Sequence, residues 1–251
     1  VRGKKRKSLI LREYSLEWGA FMIKENLKQV QQIIREGIAR RSPSVCQDNV
    51  KLIAVTKNHD VEAMREAIDA GAVCIGENRV QEALSKYDCL GRSVEWHLIG
   101  HLQTNKVKYA VELFDLIHSV DSLKLAVELD KAARKIGKVQ DVLLQVNLAK
   151  EESKSGIYRE ELPEVLQSAA VLENIHICGL MCIAPNYDDS EQARPLFREM
   201  YQLFQEVRQM GLKAADIRFL SMGMSHDYKV AVEEGANIVR VGTAIFGQRQ
   251  Y

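Results

Sequence analysis

Apolar residues recur along this chain in two alternating rhythms, short runs of aliphatic and β-branched side chains and longer stretches where they return every three or four positions. The short runs predict strands at Leu52 to Thr56, Val73 to Gly76, Glu95 to Ile99, Leu116 to Val120, Val139 to Leu148, Ile175 to Ile183, Ile217 to Ser221 and Ile238 to Val241. The spaced stretches predict helices. Asp60 to Ala70 and Ser122 to Ile136 each open on a capping side chain and stop at a glycine, Gly71 and Gly137. A third, around Pro195 to Met210, stops at Gly211, and shorter ones cover Asp227 to Glu234 and Ala244 to Gln248. Before the first strand, Leu27, Val30, Ile33, Ile34 and Ile38 fall at helical spacing until Ser42-Pro43 interrupts them.

Strands that alternate with helices predict a parallel sheet. Eight such units in 251 residues match a single (β/α)8 barrel, for which roughly 250 residues is typical, with an extra N-terminal helix. The Gly-x-Gly-x-x-Gly turn of an open dinucleotide-binding sheet is absent, in agreement with a closed one. Closure makes the first and last strands neighbours and opens all the strand ends onto one face.

Composition narrows the class. Hydrophobic residues at 46% and charged residues at 27% describe an ordinary globular protein, and no apolar run is long enough to cross a bilayer. No signal-peptide pattern follows the N-terminus, so a cytoplasmic protein without a membrane partner is expected. Five cysteines, an odd number with no Cys-x-x-Cys spacing, read as reduced, with Cys74, Cys178 and Cys182 expected in the core. The net charge is +1, yet six basic residues crowd the first 21, which leaves the remainder slightly acidic and without a footprint for nucleic acid. Residues 1–21 read as a disordered or added leader, Met22 as the natural start, and residues 22–251 as one domain.

The candidate chemistry sits at strand ends. Lys57 follows Lys51-Leu52-Ile53-Ala54-Val55-Thr56 and shares a face with Val55 and Ile53, so its stem can pack inward while its amine reaches the barrel mouth. Burial disfavours a lysine's charged form and exposes a nucleophilic amine suited to Schiff-base formation; a surface lysine ending a strand is the plainer alternative. Arg240 alternates with apolar neighbours on the last strand and so needs either an internal ion-pair partner or a ligand atom. Two turns shaped for phosphate follow strands seven and eight: Ser221-Met222-Gly223-Met224-Ser225, and Gly242-Thr243 at a helix start. Gln248-Arg249 after Gly247 excludes a nucleotide P-loop. His97 and His101 have the separation of a zinc pair, but Gly100 and the strand before it argue against a helix presenting both, and no metal is expected.

Together with Gly76-Glu77-Asn78-Arg79-Val80-Gln81-Glu82 and Trp96-His97-Leu98-Ile99-Gly100-His101-Leu102-Gln103-Thr104-Asn105-Lys106, these segments resemble the pyridoxal phosphate homeostasis protein family, whose fold is that of the alanine racemase N-terminal domain. The resemblance runs from about Ile23 to Tyr251; it departs at Thr56, where many relatives carry serine, and in residues 1–21. It implies a pyridoxal 5′-phosphate cofactor held as an aldimine by Lys57, with Arg240 at the pyridine nitrogen and Ser221, Ser225, Gly242 and Thr243 around the phosphate. Asn78 and His97 would line the ring pocket, with Met181 and Met224 as its apolar wall.

Pyridoxal phosphate enzymes usually hold the pyridine nitrogen protonated with a carboxylate, which makes the ring an electron sink. An arginine there, with a pKa above about 12, cannot do so. A second base of the racemase type would need a further domain, a partner subunit or Tyr251. The expectation is therefore a non-catalytic carrier in intracellular cofactor homeostasis, a monomer that exchanges its cargo with cofactor-requiring apoenzymes. The alternatives are a racemase-like amino-acid enzyme and an aldolase-like barrel whose lysine acts without the cofactor. Glu151 to Gly156 reads as a solvated, mobile loop over the barrel mouth where a recipient could dock.

Overall fold

Short apolar parallel strands bury both faces when helices cover the sheet, and closing the sheet into a barrel does so without leaving an edge. The computed structural model, which describes residues 22–212 and 215–248, has that arrangement. Strands β1 (Lys51–Val55), β2 (Cys74–Glu77), β3 (Glu95–Leu98), β4 (Leu116–Val120), β5 (Gln140–Val146), β6 (Ile175–Cys182), β7 (Ala215–Met224) and β8 (Ile238–Val241) form a closed, all-parallel barrel in chain order. The expectations for residues 1–21 and Tyr251 lie outside the described residues. Among the described residues, no helix is long and apolar enough to cross a membrane.

The outer layer comprises α1 (22–39), α2 (Val61–Asp69), α3 (Val80–Leu90), α4 (Val107–Leu113), α5 (Leu123–Lys135), α6 (Leu162–Ala169), α7 (Arg194–Gln209), α8 (Tyr228–Glu233) and α9 (Thr243–Phe246). Their ends follow local chemistry. Asp60 accepts from the Ala63 amide to cap α2, Ser122 from the Leu125 amide to cap α5, and Pro195 occupies the first turn of α7. Gly71, Gly137 and Gly211 have positive φ just past α2, α5 and α7, as read from the sequence. The main core lies between strands and helices, with Trp96, Phe114 and Phe197 among its largest fully buried side chains.

Helix α1 buttresses the side of the barrel where β8 meets β1. Ile23, Leu27, Val30 and Ile34 are buried on one face, and Asn26 Nδ2 donates to the Ile245 carbonyl in α9. Arg41, just beyond α1, donates to the carbonyls of Val232 and Ala236 before β8 and of Cys46 and Asp48 before β1. One guanidinium thus ties the entries of both strands that close the barrel.

Inside the barrel, Ile53, Val55, Cys74, Ile99, Leu116, Leu143, Cys178, Met181 and Ile238 pack together. Besides a shift on β4 between Ile117 and Val120, two irregularities disturb the strict alternation of strands. Register shifts between Ile177 and Gly179 on β6, so Cys178 and Met181 both point inward while Cys182 joins the outer core. Cys178 and Cys182 therefore do not share a face, although their spacing suggests it. A second shift on β7 pairs Ser221 with Ile238 but Met224 with Arg240.

Gly179 has φ of +152°, and a Cβ built there would collide with the Phe219 carbonyl oxygen of the neighbouring strand. Gly179→Ala must push β6 and β7 away from each other and is expected to cost more than about 3 kcal/mol. Gly137→Ala, at a φ of +64° in open space at the left-handed end of α5, should cost only about 1 kcal/mol. Urea unfolding of both variants checks the order; equal losses would mean that β6 and β7 are not clamped at Gly179.

Candidate functional site

The carboxyl ends of the strands surround a cavity of about 310 Å³ lined by Val55, Lys57, His59, Asn78, Ile99, Ile183, Met224, Ser225, His226, Arg240, Gly242, Thr243 and Gly247. A larger cavity of about 520 Å³ lies at the other end, between α1 and the strand starts. It lacks any arrangement of an amine, a guanidinium and hydroxyls around one centre, so the smaller cavity is the chemical site. Seven of the ten candidate residues meet there: Lys57, Asn78, Met224, Ser225, Arg240, Gly242 and Thr243.

The other three lie elsewhere. Ser221 is fully buried one layer below, because its strand neighbour is Ile238, two residues before Arg240. His97 is buried two residues before Ile99 on the same strand face, and Met181 belongs to the inner apolar cluster below Ile183. His101 is exposed and approaches Asp121 at 3.2 Å, so the two histidines face different surroundings.

Lys57 is aimed by a clamp at the end of β1. The Thr56 hydroxyl donates to Glu77 Oε1 at 2.6 Å, and Lys86 Nζ donates to the Thr56 carbonyl, to Glu77 Oε1 and to Glu82 Oε1 at 2.7–2.8 Å. The Asn58 amide, on a residue with φ of +63°, donates to the same Glu82 oxygen at 2.6 Å. Residues on both sides of Lys57 are thereby fixed to β2 and α3, and Asn58 adopts a left-handed conformation that asparagine tolerates. Burial pushes the Glu77 carboxyl up, opposed by its bonds from Lys86 and Thr56, and its second oxygen is buried without a partner. Glu77 and Glu82 belong to the segment read as Gly-Glu-Asn-Arg-Val-Gln-Glu; Lys86, one helical turn after Glu82, is where that signal could have been extended.

Arg240 is only 3% exposed, yet its guanidinium borders the cavity. It donates from Nη1 to the Ser221 hydroxyl at 2.6 Å and from Nη2 to the Cys182 carbonyl at 2.8 Å. Both partners are neutral, so the internal ion pair weighed from the sequence is not what holds it. Ser225 Oγ accepts from the amides of Gly242 at 3.1 Å and Ala244 at 3.4 Å, which staples the two phosphate-shaped turns together. A Cβ on Gly242 would press on Val55 at 3.3 Å, and one on Gly100 would collide with the Asn78 carbonyl oxygen. Both glycines let backbone approach the cavity walls closely. The lining carries Lys57, Arg240 and the imidazoles of His59 and His226, and no carboxylate among the described residues. Such a site favours an anionic ligand with an aldehyde or other carbonyl near the lysine.

The loop at Glu151 to Gly156 is tethered rather than loose. Asn147 Nδ2 donates to the Glu151 and Lys154 carbonyls, Gln145 to that of Ser155, and Lys154 Nζ to that of Ala184.

The sequence profile of the family described as alanine racemase, N-terminal domain, matches residues 23–250. A pyridoxal phosphate homeostasis protein of Aquifex aeolicus is 43% identical over 228 residues, which cover 90% of this chain and 98% of the relative. Its counterpart in Escherichia coli K12 is 39% identical over 243 residues, covering 91% and 97%. PipY of Synechococcus elongatus, solved with pyridoxal phosphate bound, superposes with a TM-score of 0.77 at 40% identity over 90% of this chain and all of PipY. The alanine racemase of Clostridium difficile shares the fold at a TM-score of 0.72 and 15% identity, over 92% of this chain and 57% of the racemase.

The clamp can be tested by its asymmetry. Lys86→Met leaves Glu77 and Glu82 without their common cation and should cost about 3–5 kcal/mol at neutral pH. Glu77→Gln, which removes a charge that burial already opposes, should cost less than about 1.5 kcal/mol. Because the folded state raises the Glu77 pKa, its contribution is fully present below the unfolded value near 4.5 and is lost as pH rises through the folded value. Denaturation curves across that range should show the wild type losing stability with rising pH relative to Glu77→Gln; parallel curves would show that Glu77 is not perturbed.

Proposed function

The chain belongs to the pyridoxal phosphate homeostasis protein family, and from that premise we propose that it binds pyridoxal 5′-phosphate in the strand-end cavity through a Schiff base on Lys57. The observation that carries this reading is the placement of Lys57, just past β1, and of Arg240, on β8, at one cavity with no carboxylate among its described lining residues, where β1 and β8 pair to close the barrel. Condensation of the neutral lysine amine with an aldehyde forms a C=N bond and releases one water, so the tether is reversible and needs no co-reactant. Ser225, Gly242 and Thr243 would hold the phosphate, with Asn78 and Met224 against the ring. His97, Met181 and Ser221 would act from one layer below.

Arg240 would face the pyridine nitrogen. A guanidinium can only donate there, so the nitrogen keeps its lone pair and the ring stays a poor electron sink. That favours storage over turnover. We assign the protein to intracellular cofactor homeostasis, as a cytoplasmic monomer that releases its cargo to free amines or to apoenzymes that require it. Transfer by exchange at the same C=N bond requires no second catalytic base.

Loaded protein should show an absorption band that borohydride abolishes, with the added mass on the peptide that holds Lys57, and Lys57→Ala should show neither. An adduct on another lysine would sink the assignment. A bound amino acid should exchange its α-proton with solvent no faster than with the free cofactor; enhanced exchange would turn the reading towards a racemase.

A further inference from the structure

A file of hydrogen-bonded polar side chains runs through the barrel interior from the strand starts to the cavity. At the strand-start end, Glu95 Oε2 lies 2.5 Å from Lys51 Nζ and 3.3 Å from His97 Nε2. His97 Nδ1 lies 2.9 Å from His118 Nε2, and His118 Nδ1 lies 2.9 Å from Ser221 Oγ. Ser221 Oγ in turn accepts from Arg240 at 2.6 Å, at the floor of the cavity. Five side chains from β3, β4, β7 and β8 thus link the bottom of the barrel to its mouth, and all but Glu95 are buried. The central member of the file, His118, carries no signal in the sequence because Leu116 to Val120 reads as an ordinary buried strand.

The two ends dictate where every proton lies. A guanidinium only donates, and a carboxylate only accepts. Glu95 is pulled down to about 2, chiefly by the bond from His97, and is ionised. Burial lowers the pKa of both imidazoles, His118 most, so each carries one proton. His97 must then donate from Nε2 to Glu95, which leaves its Nδ1 to accept. His118 must donate from Nε2 to His97, which leaves its own Nδ1 to accept from the Ser221 hydroxyl. Ser221 is left with lone pairs for Arg240. Only this order satisfies all four bonds, with every donor pointing from the mouth to the bottom.

We infer that Glu95 is a positioning residue for Arg240, acting through His97, His118 and Ser221 from the opposite end of the barrel. Without the carboxylate acceptor the imidazoles can adopt either tautomer, and in the reversed order His118 Nδ1 donates to Ser221, whose hydroxyl proton loses its acceptor and whose lone pairs turn to serve two donors. The guanidinium then keeps its bond to the Cys182 carbonyl but loses a Ser221 partner of fixed direction. The consequence for cofactor binding rests on the placement of Arg240 at the pyridine nitrogen; the proton order itself does not.

The test is ¹⁵N NMR of the full chain without cofactor. At pH 7, His97 and His118 should both be neutral Nε2–H tautomers, with a coupling across the hydrogen bond from His118 Nε2 to His97 Nδ1. Arg240 should show separate Nη resonances because its guanidinium does not rotate freely. In Glu95→Ala, altered at a side chain that is half exposed, both rings should populate the Nδ1–H form and the Arg240 Nη1 resonance should shift, while Nη2 stays bonded to the Cys182 carbonyl. Lys51→Ala, which keeps the carboxylate, should retain the wild-type pattern. A charged ring or an Nδ1–H His118 in the wild type would overturn the inference, and so would an unchanged Arg240 Nη1 signal in Glu95→Ala. With cofactor, Glu95→Ala should bind about three- to tenfold more weakly while its Lys57 adduct still forms. Wild-type affinity in that variant overturns the link to binding, whereas an absent adduct in the wild type overturns only the proposed function.

Discussion

A guanidinium buried at the mouth of a barrel, without a carboxylate against it, is the constraint around which the rest of this structure is arranged. Taking such a charge out of water costs several kcal/mol even after relaxation, and a residue that merely filled space would not be an arginine. Arg240 is held by two neutral oxygens, from Ser221 and Cys182, on the two strands before its own. Those oxygens are placed by the register shifts on β6 and β7, and the strand that bears the arginine is fixed by Arg41 and α1.

The opposite wall of the cavity solves a different problem. Lys57 lies beyond the last hydrogen-bonded pair of β1, where a loop would otherwise let its amine wander. Thr56 and Asn58 are bonded on either side of it to the buried Glu77 and Lys86 and the half-buried Glu82. The lysine backbone is thus as well fixed as a strand residue, while its side chain reaches the ligand space. Barrel closure sets the arginine and the lysine beside each other, one on a scaffold of strands and the other on a scaffold of ion pairs.

Much of this was legible in the sequence. The eight strands and their order followed from alternating patterns, with boundaries within a few residues except on β7, which begins at Ala215 and runs on to Met224. Helix stops at Gly71, Gly137 and Gly211 were chemical signals of the chain itself. The meeting of Lys57 with Arg240 followed from closure, which no local pattern could supply without the count of eight. What escaped was depth. Ser221 and Ser225 look like equal members of one turn, yet a register shift sends the first beneath Arg240 and leaves the second at the cavity. Met181 and Ile183 sit on one face of β6, and only the three-dimensional layering shows that Ile183 is the wall. His97 looked like a pocket residue because its motif is distinctive, and its true neighbour, His118, lies 21 positions away on the next strand.

The convergence of Lys57 and Arg240 on one ligand is tested most directly by a crystal structure of the protein soaked with pyridoxal 5′-phosphate. The expected result has the ring nitrogen within hydrogen-bond reach of Arg240, the phosphate on Ser225, Gly242 and Thr243, and continuous density from the ring to Lys57 Nζ. A cofactor seated in the larger cavity at the strand starts, or reversed so that its phosphate meets Arg240, would contradict it.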